Sequence, residues 1–449
     1  MPAAGPGTRV RAFGTRLLSG QRGEGRLSWG MTGREKINRA LNHETGPVPL
    51  DFGSNVVTGM HASVVEALRD HYGLERRPVR IIDPFQMLGE ITPDLKEAVG
   101  VDTDAIYPPA TIFGFANEDW KPWRTPWGQE VLVPGGFVTS TEPNGDILIY
   151  PQGDPDAPPS GRLPASGYFF DAIIRQEPLG DDDELDVRDN LEEFAPLSEE
   201  DLTYFATEAE RLRDSDRGIM ANFGGTGLGD IALVPAPMLK HPKGIRDVTE
   251  WYISTVTRQD YLHEIFTYQT DVALENLARI HAVVGEVPDV MMLCGTDFGT
   301  QDSTFCSPET FRSLYMPYYR RMTDWIHANT TWKVFKHCCG AVFEFMPLFI
   351  ESGFDVINPV QISARGMDPE ALKREFGNDL VFWGGGVDTQ HTMAFGSPEE
   401  VRSEATRACR VFSRGGGFVF NAVHNVQAKS PTENVVAMLD AVHACNAEA

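Results

Sequence analysis

From about residue 200 the chain alternates short apolar runs with longer stretches whose apolar residues recur every three or four positions. The runs GIMANFG (218–224), DVMMLCG (289–295), WKVFKH (332–337), FDVINPV (354–360), LVFWGGG (380–386) and GFVFNAV (417–423) predict buried strands. Helical periodicity covers about 198–213, 258–282, 308–328, 341–351, 368–375, 398–412 and 432–446. Upstream, PVPLDFG (47–53) and DTDAIYP (102–108) add two strands, and Thr32-Gly-Arg-Glu35 has the spacing of a capping box opening a helix towards Leu41. Eight apolar strands spaced by amphipathic helices call for an α/β fold with a parallel sheet, closed as a (β/α)8 TIM barrel. An open doubly wound sheet is the alternative. Against it, no G-x-G-x-x-G follows the first strand, and Gly384-Gly385-Gly386 leads to Asp388 and not to a phosphate-cradling helix start.

The stretch of about 110–195 breaks this rhythm. It holds Trp120, Trp123 and Trp127, with the runs EVLVPGGFV and DILIYP on either side of Asn144-Gly145. An inserted β-hairpin with loops after the early strands is expected. The acidic run 180–193 reads as a solvated loop. Residues 1–30 carry Arg9, Arg11, Arg16, Arg22 and Arg26 against a single acid, Glu24, and read as a disordered or non-native extension before Met31. The domain expected is therefore one barrel over 31–449.

In a barrel of this kind chemistry gathers where strands hand over to the loops that follow them. Those positions are polar here. The first strand ends in Asp51 and the third in Asn222; the fourth runs into Asp297 and Gln301; the fifth ends in His337, Cys338 and Cys339. The sixth offers Asn358 and Gln361, the seventh Asp388 and Gln390, the eighth Asn421, His424 and Gln427. His337 and Cys339 are two apart, so at an extended strand end they share a side and reach one ion, while Cys338 turns into packing. His424 joins them if the barrel closes. Two imidazoles and a thiolate with an open fourth position form the ligand set of a catalytic zinc. A buried thiol beside a hydrogen-bonded imidazole is the other reading of the same pair.

Charge narrows the partners. A formal charge of −25 and a pI near 4.8 exclude a nucleic-acid or anionic-membrane partner, because phosphate contacts need clustered Lys and Arg. Six cysteines in so long a chain fit a reduced, cytoplasmic protein better than a disulfide framework. No apolar run approaches the ~20 residues of a membrane helix, so no membrane association is expected.

GTDFGTQDSTFCSPETFRSLYMPYYRRM (295–322), KHCCGAVFEFMPLFIESGFDVINPVQISARGMDPEALKREFG (336–377), FWGGGVDTQ (382–390) and GGFVFNAVHNVQAKSPTENV (416–435) together resemble the uroporphyrinogen decarboxylase-like superfamily, in particular its corrinoid-dependent, zinc-containing methyltransferase branch. MTGREKINRALNHETGPVPLDFG (31–53) is similar to the usual start of that family. The resemblance implies a barrel with its site at the C-terminal mouth of the strands. It also implies a zinc held by His337, Cys339 and a later ligand, and a methyl group exchanged between a small methylated substrate and a separate corrinoid protein. Where the coenzyme M-type enzymes usually carry cysteine for that later ligand, this chain offers His424. Asp297 is then expected to hold or protonate the substrate, with Gln301, Asn222, Asn358, Gln361, Asp388 and Asn421 around it. A homodimer is expected by analogy. The alternative is a metal-free decarboxylase using Asp51 or Asp297. The segment after the first strand, DFGSNVVTGMHASVV (51–65), lacks the arginines with which such decarboxylases grip their substrate.

Overall fold

The computed structural model describes residues 30–180 and 184–448. The expected extension therefore lies outside the described residues apart from Gly30, as do Asp181, Asp182 and Asp183 of the acidic run. The protein is an α/β fold around a seven-stranded parallel sheet.

In chain order the first strands are β1 (Val79–Asp83), β2 (Leu88–Gly89), β3 (Thr103–Ile106), β4 (Lys121–Arg124), β5 (Glu130–Val133), β6 (Thr139–Thr141), β7 (Ile147–Ile149), β8 (Gly161–Leu163) and β9 (Asp171–Ala172). Then follow β10 (Gly218–Ala221), β11 (Val290–Cys294), β12 (Lys333–His337), β13 (Val356–Asn358), β14 (Val381–Trp383) and β15 (Phe418–Val419). The main sheet runs β15-β14-β13-β12-β11-β10-β3, every pair parallel. Seven of the eight expected strands are thus regular. PVPLDFG supplies the eighth position with a single bridge: Leu50 pairs with Phe420, and its carbonyl accepts from the Asp102 N–H at 2.8 Å. Leu50 therefore links the two edge strands of the sheet.

Alternation along the strands sorts side chains into two layers. Met220, Val290, Met292, Phe335, Val356, Val381, Trp383 and Val419 form one buried cluster with Ile37, Ala40 and Leu41 of the helix Gly33–Leu41. That helix opens on the expected capping box, Thr32 and Glu35 bonding each other's backbone N–H. Ile219, Met291, Val334, Ile357, Phe382 and Phe418 face the other way, into the larger core shared with the surrounding helices. His337 follows Phe335 on the inner face, and Lys336 falls on the outer one.

The stretch 110–195 contributes to two small sheets. One, β2-β1-β5-β4, is shared with the earlier strands β1 and β2, and the other is β6-β7-β8-β9. The pairing differs from the sequence expectation: EVLVPGGFV does not pair with DILIYP. Its first half, β5, joins β4 and β1. Pro134-Gly135-Gly136 interrupts the run, and β7 pairs instead with the more polar β6 across Asn144-Gly145, where Gly145 takes φ +91°. No helix among the described residues is long and apolar enough to cross a membrane.

Candidate metal centre and active site

β12 ends in His337 because Lys333–His337 pairs with β11 on one side and β13 on the other, and that register sets His337 against Asn358. Asn358 is fully buried, and its Nδ2 donates to the Trp383 carbonyl at 2.8 Å. This fixes the amide, so Oδ1 faces His337 Nδ1 at 2.7 Å. A carbonyl oxygen only accepts, so Nδ1 carries the proton and the lone pair of Nε2 points away, towards Cys339 Sγ at 3.3 Å. An imidazole so clamped is the arrangement that orients metal-ligating histidines.

His424 arrives from the loop after β15. Its ring lies 5.3 Å from that of His337, at 79°. One ligand atom each from His337, Cys339 and His424 lie within 4.8 Å of one another. Burial pushes the His337 imidazole down to about 4, and burial together with His337 does the same to His424, so both rings are neutral near pH 7, as ligation requires. The donor set fits a zinc ion. At His337 and Cys339 the spacing suits a shared ion, with Nε2 and Sγ 3.3 Å apart, while burial and the Asp297 charge raise the Cys339 thiol, so the ion itself must draw off its proton. At His424 the Nδ1 lone pair is engaged by the Asn425 N–H at 2.8 Å, and a tetrahedral site has ligand atoms about 3.5 Å apart, so that ring must turn and close in to ligate.

Around this trio the structure distributes the other expected residues unevenly. Asp297 is at the centre: its Oδ1 accepts the Cys339 N–H at 2.6 Å. Burial raises its carboxyl, opposed by the Cys339 N–H and the charge of Lys336. Gln361 accepts the Gly340 N–H at 2.7 Å and donates to Gln301 at 2.9 Å, while Gln301 donates to the Ser363 carbonyl at 2.7 Å. These two glutamines brace the Cys339-Gly340 turn. Cys338 turns away, as alternation requires; its Sγ accepts from the Phe298 N–H at 3.2 Å, and burial pushes its thiol up to about 12.

Other expected residues are spent inside the fold. Asp51 is fully buried, with Oδ1 accepting from the Thr103 hydroxyl (2.6 Å) and Ser54 N–H (3.3 Å), and Oδ2 from the Ser54 hydroxyl (2.8 Å) and Trp383 indole (2.8 Å). Four donors fill a carboxylate's four lone-pair sites, so no oxygen remains for a substrate. Asn421 donates to the carbonyls of Asp51 and Thr58, which ties the Leu50 segment to the loop beyond β15. Asp388 caps a turn, accepting from the Gln390 N–H and pairing with His391 Nδ1. Asn222 closes another, its Oδ1 accepting the Gly224 N–H at 3.1 Å. Asn358 orients a side chain of the site and does not face a ligand.

Three residues absent from the sequence expectation stand at the site. Asp230 ends the glycine-rich loop GGTGLGD, and burial with the nearby Asp297 charge pushes it up to about 6. Tyr252 has a buried hydroxyl in the electrostatic field of Asp297 and Asp230. Lys336 is fully buried behind the site, donating to the carbonyls of Thr296 (2.9 Å) and His337 (3.3 Å). The rings of Phe298, Tyr319, Phe349 and Phe354 surround its ammonium at 4.9–5.7 Å, a cation–π cage that replaces a carboxylate partner.

The sequence model of the uroporphyrinogen decarboxylase (URO-D) family matches residues 233–445. Among curated proteins, uroporphyrinogen decarboxylase of Nitrosomonas europaea is 36% identical over 75 residues, 17% of this chain and 20% of that protein. That of Psychromonas ingrahamii is 31% identical over 77 residues, 17% of this chain and 21% of that protein. The matched segment thus spans about a fifth of the length of these curated relatives. In three dimensions the chain is similar to a methyltransferase from Methanosarcina mazei, with a TM-score of 0.51 over 92% of this chain and 99% of that one, at 14% identity. At that identity the likeness carries the fold alone. Residues 233–445 thus match the uroporphyrinogen decarboxylase family model, and the chain as a whole is similar in fold to the Methanosarcina mazei methyltransferase.

Proposed function

We propose that the protein is a zinc-dependent methyltransferase that moves a methyl group between a small O-methyl or N-methyl compound and a corrinoid protein. The observation that carries this reading is the convergence of His337, Cys339 and His424, with His337 clamped by Asn358 so that Nε2 faces the thiol. Bound there, zinc supplies a Lewis acid that lowers the basicity of the heteroatom from which the methyl departs. The chain's own part is to hold the site. Asn358 fixes the tautomer and plane of His337. Asp297 grips the backbone of Cys339, and Gln361 with Gln301 grips that of Gly340. The methyl carbon is left to a cobalt(I) nucleophile brought by the partner.

Elemental analysis of the freshly purified protein tests the proposal: about one zinc per chain is expected, lost in His337→Ala and in Cys339→Ser. A metal-free protein with unchanged behaviour in both variants would refute it.

The curated relatives favour a second reading, a metal-free decarboxylase. The four internal donors on Asp51 and the arginine-free 51–65 segment weigh against it. Turnover of uroporphyrinogen that survives a chelator is the result that would favour it.

A further inference from the structure

Two cysteines that the metal centre does not use face each other on the outer layer of helices. The helix Pro398–Phe412 buries Ala405, Ala408 and Cys409, and the helix Thr432–Glu448 buries Met438, Ala441 and Val442, so each turns a seam of three- and four-residue spacing inward. Cys445 continues the second seam three residues beyond Val442. The helices follow the neighbouring parallel strands β14 and β15 and therefore run the same way. Contacts between them advance in step: Arg402 pairs with Asp440 at 3.7 Å, and further along both helices Cys409 meets Cys445. Both thiols are free.

The two thiols are unlike. Cys409 is buried, and its S–H donates to the Cys445 sulfur, so this bond and burial hold its thiol well above the usual range. Cys445 is partly exposed, and the same bond draws its thiol down, helped by the Arg410 charge and the Thr406 hydroxyl against burial and Glu448. Thr406 and Arg410 also line a surface groove of about 460 Å³ that carries four arginines against Glu370 and Glu399. In a chain of formal charge −25 that is a local excess of positive charge. A partly exposed thiol in electropositive surroundings, with a second thiol in reach, is the setting of a reactive cysteine and its resolving partner.

We propose that Cys445 and Cys409 are a redox pair: a hydroperoxide oxidises Cys445, and Cys409 resolves the product into a disulfide between the two helices. The Cys445 sulfur attacks the terminal peroxide oxygen; the S–O bond forms, the O–O bond breaks, and the leaving oxygen takes the thiol proton and departs as an alcohol, or as water from hydrogen peroxide. The Cys409 sulfur then attacks the sulfenic sulfur. The S–S bond forms, the S–O bond breaks, and hydroxide leaves with the Cys409 proton as water. Two thiols are oxidised by two electrons in all, and the peroxide bond is reduced by the same two. Asn446, next along the helix, accepts from the Val48 N–H at 2.7 Å and donates to the Val48 carbonyl at 2.9 Å, at the head of the segment whose Leu50 links the edges of the sheet. A bond at Cys445 therefore pins the helix end on which that segment hangs. None of this depends on the reaction at the metal centre.

The test uses the full chain, reduced, desalted and treated with hydrogen peroxide. Peptide mapping is expected to find a Cys409–Cys445 linkage that dithiothreitol reverses. Cys445 should react about tenfold or more faster than Cys306, another partly exposed thiol, which burial pushes up to about 12. In Cys409→Ala, which keeps the seam apolar, Cys445 should stop at the sulfenic acid and take a dimedone label. In Cys445→Ser, peroxide should leave Cys409 untouched. The oxidised wild type should unfold at a higher urea concentration than the reduced one, a gap absent in Cys445→Ser. Both thiols free after peroxide, oxidation of Cys306 ahead of Cys445, or Cys409 oxidised as fast in Cys445→Ser as in the wild type each overturns the pair, and equal urea midpoints overturn the pinning.

Discussion

Asn358 gives the sharpest handle on the candidate metal centre, because its two hydrogen bonds do two different jobs. Oδ1 accepts from His337 Nδ1 at 2.7 Å, and Nδ2 donates to the Trp383 carbonyl at 2.8 Å. Asn358→Leu keeps the branched shape, though not the volume, and removes both. The imidazole then loses the acceptor that fixes its tautomer, and removal of such a partner lowers metal affinity 10–100-fold, about 1.4–2.7 kcal/mol. The metal-free fold also suffers, since a buried N–H and a buried carbonyl are orphaned at about 1–3 kcal/mol each. Asn358→Asp separates the two effects. A carboxylate still accepts from Nδ1, so zinc affinity stays within tenfold of wild type, but it cannot donate to Trp383, so stability falls. Chelator competition measures the first quantity and urea unfolding of the metal-free protein the second. Equal loss of affinity in both variants, or wild-type affinity in Asn358→Leu, would refute the argument that His337 is poised by its Nδ1 partner.

Two further outcomes are expected. Arg246 is fully buried, pairs with Glu193 through two nitrogens and donates to the carbonyls of Lys243 and Asp189; Arg246→Ala strands a largely buried carboxylate and should cost about 3–5 kcal/mol by thermal or urea unfolding, where a loss under 1 kcal/mol would contradict it. His61, His337 and His424 are each pushed down to about 4 by burial, so the unfolded chain binds protons that the folded one refuses; metal-free stability is full above about pH 6.5 and falls as pH drops towards 4, by at most about 3 kcal/mol per ring, and equal unfolding midpoints at pH 7 and pH 5 would sink this.

The strand-helix rhythm was legible because period carries it: seven expected strands form ladders, and the long helices fall within a few residues of their expected bounds. Strand length was less legible. GFVFNAV is apolar but for Asn421, yet only Phe418–Val419 sits in the ladder, since an apolar run does not distinguish ladder from extended approach. The helix Pro93–Val99 went unread although it shows the standard punctuation, Pro at its start and Gly100 after its end at φ +82°. His337, Cys339 and His424 could be read because strand ends fix where such side chains point. Asp230 could not, because it lies nine residues beyond β10 in a loop whose path the pattern does not determine. Lys336 was hidden for another reason: a lysine within a strand reads as solvent-facing, and only tertiary packing supplies its aromatic cage. Asn358, Asn421 and Asp51 were legible as polar strand ends, but their partners, Trp383 above all, are set by register.

The bridge of Leu50 to Phe420 couples positions 370 residues apart and has a consequence for synthesis. The two flanks of the sheet cannot be stitched together until nearly the whole polypeptide has left the ribosome. The nascent intermediate therefore carries unpaired backbone on the Leu50 segment and along β14, which await Phe420 and β15, a template for mispairing with other chains. Loop-closure entropy rises only slowly with length, so that final stitch is costly chiefly in waiting time.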